Sequence, residues 1–296
     1  WEERKVNMKK RLNLVDAVLI LLIAAAVAAC ILFLRQRGTI TTQDNTTPMR
    51  FTVELRKVYP ETIERLEIGQ NVYRSTDGTY LGTLADFSYE PYTETEYSQL
   101  LERYVTYEWD GRYYLYLVIE GPGYETERDV VINGLTQKIG DEIYVKGKGY
   151  AGAGYVVGVD TMGSAGVENT AVGLGDTVVT YSVRVSGVRD FTAQALHVGD
   201  RVYDTTTGSL LGVVQDVDVQ PEYVYEMDAE GNGIEVEREG RRCVFLTLEG
   251  RCTETENSYF LDGKCELKVG SELTVSTKTT KCEVFYHALL DTKSAE

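Results

Sequence analysis

The longest apolar segment of the chain lies near its amino end. Residues 17–34 are 18 consecutive apolar residues, and Leu14 and Val15 extend the run around a single Asp16. At about 1.5 Å per residue, roughly 20 helical residues cross a hydrocarbon core of about 30 Å. The pattern therefore predicts one transmembrane helix over residues 14–34, although a buried core helix would also be apolar throughout.

Basic residues are concentrated before this segment. Residues 1–13 carry five Lys and Arg side chains, whereas Arg35 and Arg37 follow the apolar run. The positive-inside bias then places residues 1–13 in the cytoplasm as a basic tail and the C-terminal bulk outside. We expect a single-pass protein of the cell membrane, in contact with the lipid bilayer. An alternative is that residues 27–30 form a lipobox, in which Cys30 would be lipidated after cleavage.

The rest of the chain contains two copies of one sequence unit. After a polar, Thr-rich tether over residues 35–50, the segment that begins at Phe51 aligns without a gap on the segment that begins at Tyr181. A second stretch aligns at an offset of 129 to 130 residues, and repeats of this kind indicate duplication. The predicted organisation is a first β domain over residues 51–157, a Gly-rich link over residues 158–180 and a second β domain over residues 181–290.

Within each copy, apolar and polar residues alternate. Phe51, Val53 and Leu55 are separated by polar residues, and the second copy repeats the pattern from Val183. This is the period of a strand that is buried on one face. Short strands at close spacing, joined by glycine-containing turns, predict an all-β fold. We expect two tandem homologous β-barrel or β-sandwich domains after one N-terminal transmembrane helix.

Three features together carry a family resemblance. The first is a charged amino end, and the second is an apolar span that begins with Asn-Leu-Val-Asp at residues 13–16. The third is a pair of motifs, Val-Gly-Asp-x-Val-Tyr at residues 198–203 and Gly-x-Leu-Leu-Gly-x-Val-x-Asp-Val at residues 208–217. The chain resembles a bacterial family of membrane-anchored proteins with a domain of unknown function, numbered 4330 among such families, with the β unit duplicated. The resemblance implies an extracytoplasmic protein of the cell envelope and no known chemistry.

Charge and composition exclude several classes of function. The formal net charge is -16, which argues against a nucleic-acid partner because phosphate neutralisation needs clustered Lys and Arg. The chain has only two histidines and no recognisable nucleophile motif. We therefore predict a non-catalytic protein with no catalytic residue, no cofactor and no metal site.

Four cysteines lie in the second copy and have no cysteine counterpart in the first. Their spacing is unlike the Cys-x-x-Cys pairs of zinc sites, whereas disulfides are plausible outside the cytoplasm. The residues are possible disulfide cysteines, with buried free thiols as the alternative: Cys243, Cys252, Cys265 and Cys282.

Tyrosine and tryptophan crowd the first copy. Such side chains stack on sugar rings or anchor protein interfaces, and they are also ordinary strand residues. The possible ligand-contact aromatics are Tyr89, Tyr92, Trp109, Tyr113 and Tyr114. The leading hypothesis is a binding or scaffolding protein with a protein partner in the envelope or self-association. The alternatives are a cell-wall or capsular polysaccharide-binding module of an assembly or export system and, more weakly, a glycan hydrolase.

Overall fold

Strands dominate the part of the protein that the computed structural model describes, residues 46–162 and 173–294. The predicted cytoplasmic tail, the predicted transmembrane helix, Cys30 and most of the predicted tether lie outside the described residues. Across the two described ranges, no helix has the length and apolar character that crossing a membrane requires.

The first copy forms a closed ring of six antiparallel strands. Strand β1 (Thr47–Val58) pairs on one side with β4 (Arg103–Glu125) and on the other with β8 (Tyr150–Val159). From β8 the ring continues through β7 (Glu142–Gly147), β2 (Asn71–Arg74) and β3 (Tyr80–Ser98), and β3 pairs with β4 to close it. The remaining elements are helix α1 (Pro60–Ile63) after β1 and the short strands β5 (Val130–Ile132) and β6 (Leu135–Gln137) beside β4.

The second copy repeats this pairing strand for strand. Its ring runs through β9 (Thr177–Val188), β12 (Gly233–Glu254), β11 (Leu210–Met227), β10 (Arg201–Asp204), β15 (Glu272–Ser276) and β16 (Lys281–Ser294), which returns to β9. Helix α2 (Asp190–Gln194) follows β9, and β13 (Tyr259–Leu261) and β14 (Cys265–Glu266) lie beside β12. The predicted all-β, tandemly repeated fold is confirmed. Closure of each ring makes the two domains barrels.

The alternation along the first strand of each copy determines which side chains fill the ring. Phe51, Val53 and Leu55 are buried inside the first ring, and Tyr181 and Val183 occupy the corresponding positions in the second. Each copy therefore has a hydrophobic core of its own. Side chains at the intervening positions of β1 face outward, and their surroundings depend on what lies outside the ring.

The strands extend beyond the predicted domain limits. The tether was expected to reach residue 50, whereas β1 begins at Thr47, because the backbone from there pairs with β4 and Met49 is buried in the first core. Strand β8 continues to Val159 and β9 begins at Thr177, so both reach into the predicted link. The last strand ends at Ser294, beyond the expected limit of 290, because it pairs with β9 throughout.

In each copy the longest hairpin extends beyond the ring as an arm. The first arm pairs residues 93–98 with residues 103–108, and the second pairs residues 223–227 with residues 233–237. The first arm contacts the second copy, since the Tyr104 hydroxyl donates to Glu226 of the second arm and Thr106 Oγ1 donates to Glu239 Oε2, just beyond that arm, at 2.9 Å.

A four-residue bulge separates each arm from its ring. Residues 109–112 of β4 and residues 238–241 of β12 each lie opposite a single residue of the partner strand. Gly111 and Gly240 in these bulges have φ values of +66° and +74°, which favour glycine because it lacks a Cβ. The bulge in β12 is the feature of the fold that brings two arginines to the site described below.

A buried lysine joins the two copies. Lys138, in the first copy, is 5% exposed. Its Nζ donates to the carbonyl oxygens of Thr277 at 2.6 Å, Lys278 at 2.8 Å and Arg128 at 2.7 Å, and lies 3.0 Å from Asp129 Oδ1. Thr277 and Lys278 belong to the turn between β15 and β16 of the second copy. Burial lowers the pKa of Lys138, although Asp129 opposes the shift.

Backbone hydrogen bonds continue this junction. The Ile139 N–H donates to the Thr279 carbonyl at 2.6 Å, and the Lys281 N–H donates to the Ile139 carbonyl at 3.0 Å. Ion pairs of Glu125 with Lys278 and of Asp141 with Lys281 flank these bonds. Both copies accordingly fall within one compact unit, from residue 47 onward.

Candidate functional site

A cleft of about 600 Å³ lies where the outer face of β1, the bulge of β12, helix α2 and the first arm meet. Its volume is within the range of about 300–1,000 Å³ that small-molecule sites occupy. Both copies contribute to it. The charged and aromatic side chains of the lining are Glu54, Arg56, Tyr92, Glu94, Tyr104, Tyr114, Tyr116, Arg189, Asp190, Phe191, Arg238, Glu239 and Arg241.

Glu54 anchors one side of this cleft. It faces outward from the first ring, yet it is only 2% exposed because the second copy covers it. The Arg189 guanidinium binds both of its oxygens, with Nη1–Oε1 at 2.6 Å and Nη2–Oε2 at 2.9 Å, and Arg56 Nε donates to Oε1 at 2.9 Å. The two-point geometry is the strong form of the arginine–carboxylate pair. It holds Arg56 and Arg189, one from each copy, side by side in the cleft.

The bulge of β12 adds two further arginines. Arg238 and Arg241 both line the cleft, and Arg241 Nη1 donates to the Gly187 carbonyl at 2.9 Å. Burial lowers the pKa of Arg241, and the charges of Arg238, Arg189 and Arg56 lower it further. Within the described part of the chain, neither Arg238 nor Arg241 has a carboxylate oxygen within 4.0 Å.

Arginines and carboxylates line the cleft in equal number, four of each. Two of these carboxylates pair with cations outside the lining: Glu94 lies 3.0 Å from Lys57 Nζ, and Asp190 lies 2.7 Å from Arg242 Nε. Two carboxylates outside the lining, Glu90 and Glu226, accept hydrogen bonds from tyrosines of the lining. The charges at the cleft are therefore nearly balanced but unevenly paired, because within the described residues Arg238 and Arg241 pair with no carboxylate.

Tyrosine rings make up much of the remaining lining of the cleft. Tyr92, Tyr104, Tyr114 and Tyr116 line the cleft, and the rings of Tyr92 and Tyr114 are 4.7 Å apart. Three of the hydroxyls have partners: Tyr114 donates to the Thr93 carbonyl at 2.9 Å, Tyr116 donates to Glu90 Oε1 at 2.7 Å, and Tyr104 donates to Glu226. The polar ends of these tyrosines are thereby fixed, which leaves their ring faces as the surface that a ligand would meet.

The phenol groups next to carboxylates have raised pKa values. Burial raises the pKa of Tyr104 to about 12, and its hydrogen bond to Glu226 acts in the same direction. Burial also raises the pKa of Tyr116, with Glu90 as the second cause. Both tyrosines are therefore neutral at ordinary pH and add no negative charge to the cleft.

The five aromatic residues singled out in the sequence are divided between two places. Tyr92 and Tyr114 line the cleft, and Trp109 packs edge-on against Tyr92 with ring centroids 6.4 Å apart. Tyr89 and Tyr113 pack edge to face, with ring centroids 5.5 Å apart, and are not among the cleft residues. Strand β4 explains the division, because neighbouring residues such as Tyr113 and Tyr114 point to opposite faces.

The arginines of the cleft were not anticipated from the sequence. A signal was present for two of them, since Arg-Glu-Gly-Arg-Arg at residues 238–242 concentrates three cations in five residues of an acidic chain. Arg56 and Arg189 gave no such signal, because they come together only when the copies dock.

The four cysteines of the second copy are free thiols in this structure. Cys252 and Cys265 both lie opposite Leu261, on its two sides, so they are separated by two strand spacings. That separation is about 9–10 Å, whereas a disulfide spans at most about 7 Å between Cα atoms. Cys282 lies opposite Val275, and Cys243 lies opposite Gln220 on another part of the ring. Burial raises the pKa of the Cys282 thiol to about 12.

Comparison with known proteins places the first copy in a family. The family model described as "Domain of unknown function (DUF4330)" matches residues 3–160, which is more than half of the chain. The chain belongs to this family. The resemblance inferred from the sequence motifs is thus confirmed. The DUF4330 match covers the amino-terminal segment and the whole of the first ring, and the second ring follows after it. No curated protein and no solved structure matches the chain.

Proposed function

We propose that this protein is a non-catalytic binding protein of the bacterial cell envelope that holds a polysaccharide in the cleft between its two copies. In this proposal the apolar segment 14–34 anchors the chain in the cell membrane, with the amino terminus in the cytoplasm and the two rings outside. The apolar run and the basic residues before it support this placement.

The observation that carries the proposal is the composition of the cleft walls. Tyrosine rings and guanidinium groups both line the cleft, and each kind of group suits part of a sugar. Aromatic faces pack against the apolar face of a sugar ring, and arginine donates hydrogen bonds in a fixed fork. Both copies supply these groups, so the proposed binding site requires the duplicated fold.

A glycan hydrolase fits the same cleft less well. Hydrolysis of a glycosidic bond uses one carboxyl group as an acid and a second carboxylate as a base or nucleophile. Glu54 is the buried carboxylate of the cleft, and both of its oxygens are bound by Arg56 and Arg189. Glu54 is therefore committed to joining the two copies, which leaves it poorly placed to transfer protons to a substrate.

Replacing Tyr114 by alanine is expected to weaken glycan binding by about tenfold, because one ring face of the cleft is lost. The measurement is isothermal titration of the purified full chain with a panel of defined cell-wall and capsular oligosaccharides. Tyr113→Ala is the matched control, since its side chain neighbours Tyr114 in the sequence but is not part of the cleft. If no glycan of the panel binds, or if both variants lose affinity equally, the proposed function is wrong.

Assembly with a protein is a second candidate function, favoured by the ends of the arms. Leu100 at the tip of the first arm is 88% exposed, and Tyr225 in the second arm is 79% exposed. Large apolar side chains exposed close together mark interaction sites more often than isolated ones do. On this hypothesis the arms contact a second copy of the chain or another envelope protein.

Sedimentation of the full chain in detergent tests self-association through the arms. We expect the unmodified chain to form an oligomer and Leu100→Glu with Tyr225→Glu to be monomeric, because a charged side chain at an apolar contact opposes association. Glu96→Gln, an arm substitution that changes charge without removing an apolar group, is the control. A monomer for all three proteins would exclude self-association.

A further inference from the structure

We infer that the ligand of the cleft is anionic: an oligosaccharide whose carboxylate or phosphate groups bind Arg238 and Arg241. This inference rests on the proposed function, and it names the chemical class of the ligand. It follows from the position of these two arginines and from their unused hydrogen-bond donors.

Arg238 and Arg241 lie in the bulge that separates the second arm from its ring. The bulge at residues 238–241 inserts four residues opposite one, with Gly240 at positive φ. The corresponding bulge of the first copy carries Trp109 where the second has Arg238. Trp109 packs on Tyr92, whereas Arg238 faces the cleft. Both bulges end in an arginine, since Arg112 of the first copy corresponds to Arg241 and lies 3.5 Å above the Tyr59 ring, so the two bulges differ in charge at Arg238.

The hydrogen-bonding capacity of these two arginines is largely unused. A guanidinium carries five N–H donors. Arg241 donates one hydrogen bond, to the Gly187 carbonyl, and among the described residues neither side chain contacts a carboxylate. Bringing four guanidinium groups together is unfavourable unless an anion offsets their repulsion, and Glu54 offsets only part of it. A bound carboxylate or phosphate would accept the free donors in the two-point geometry that arginine favours.

The arginines lie where this cleft meets a second one. The second cleft, of about 430 Å³, shares Arg56, Arg189, Phe191 and Arg241 with the first and extends to the β15–β16 side of the second copy. Its other charged residues are Asp141, Glu142, Lys281 and Glu283, so the guanidinium groups are confined to the junction of the two clefts. An anionic group of the ligand is therefore expected at the arginines and not further along the second cleft.

The test compares three probes that differ in charge. They are a hexamer of galacturonate, the same hexamer with its carboxylates methyl-esterified, and an oligomer of glycerol phosphate of similar length. Isothermal titration of the full chain is expected to show binding of at least one charged probe at least about tenfold tighter than the ester. Tighter binding of galacturonate assigns the site to carboxylates, and tighter binding of glycerol phosphate assigns it to phosphates. Raising the salt concentration should weaken the charged complex and leave the ester unaffected.

Arginine substitutions locate the effect. Arg238→Gln is expected to weaken binding of the charged probe by about tenfold, and Arg238→Gln with Arg241→Gln by more. Arg251→Gln is the matched control, because Arg251 lies on the same strand, β12, but lines neither cleft. Replacing Arg241 also removes its hydrogen bond to the Gly187 carbonyl and could disturb the fold. The Arg238 side chain makes no hydrogen bond within the described residues, so Arg238→Gln tests binding without that complication.

The outcomes separate this inference from the proposed function. If the ester binds as tightly as galacturonate, and the arginine variants bind both probes with unchanged affinity, the cleft does not distinguish charged from neutral glycans. The inference is then wrong. If none of the probes nor any neutral glycan binds, the proposed function fails together with it. Loss of binding in Arg251→Gln equal to that in Arg238→Gln would also overturn the inference, because the effect would not belong to the cleft.

Discussion

Lys138→Met is expected to lower the free energy of unfolding by about 3 kcal/mol, because it leaves buried acceptors without a donor. Three carbonyl oxygens and the Asp129 carboxylate converge on Lys138 Nζ, and two of those carbonyls belong to the second copy. Methionine fills a similar volume, so the loss is one of hydrogen bonds more than of packing. Denaturant unfolding of the full chain, followed by circular dichroism and by intrinsic fluorescence, measures the change.

The same substitution should change the form of the unfolding curve. Each ring has its own hydrophobic core, and the junction around Lys138 couples them. When the junction is weakened, we expect the copies to unfold in two separate transitions instead of one. Lys148→Met is the control, since Lys148 is exposed in the turn between β7 and β8. A destabilisation no greater than that of Lys148→Met would show that Lys138 does not hold the copies together.

Glu54→Gln is expected to cost about 3 kcal/mol as well, for an electrostatic reason. Glu54 is the common carboxylate of Arg56 and Arg189, and removal of one member of a buried ion pair leaves the other charges without compensation. Glutamine keeps the shape of the side chain, so the change isolates the charge. Thermal and denaturant unfolding of the full chain provide the measurement.

A double variant distinguishes the pair from a general defect at residue 54. In Glu54→Leu with Arg189→Leu the two charges are removed together, and we expect it to be more stable than Glu54→Leu alone. Glu120→Gln is the surface comparison, because its pair with Arg50 is largely exposed and should contribute less than about 1 kcal/mol. Equal losses for Glu54→Gln and Glu120→Gln would contradict the role assigned to Glu54.

The sequence was sufficient to predict the strands and the duplication. Alternation at Phe51, Val53 and Leu55 identified the inward face of β1, and the internal alignment anticipated the equivalence of β1 with β9. These features are local or repeat at a fixed offset, so they are visible without knowledge of the packing.

The site could be predicted only in part, because it lies outside the rings. Alternation assigns Glu54 to the outer face, where a carboxylate is ordinarily exposed, and only docking of the second copy makes it buried. The burial of Lys138 could not be predicted from the sequence for the same reason, because it depends on contacts with the second copy. Tyrosine enrichment pointed to the right hairpin, but the choice of Tyr114 over Tyr113 required the register of β4 against β3.

The most direct test of the account is the hydrogen exchange of two amides that bond across the copies. The Ile139 N–H donates to the Thr279 carbonyl, and the Lys281 N–H donates to the Ile139 carbonyl. If the copies are joined and share one cleft, both amides should exchange at least about a hundredfold more slowly than in an unstructured peptide, when followed by NMR in the full chain. Exchange of both at the rate of an unstructured peptide would mean that the copies are not docked, and the cleft between them would not exist as a binding site.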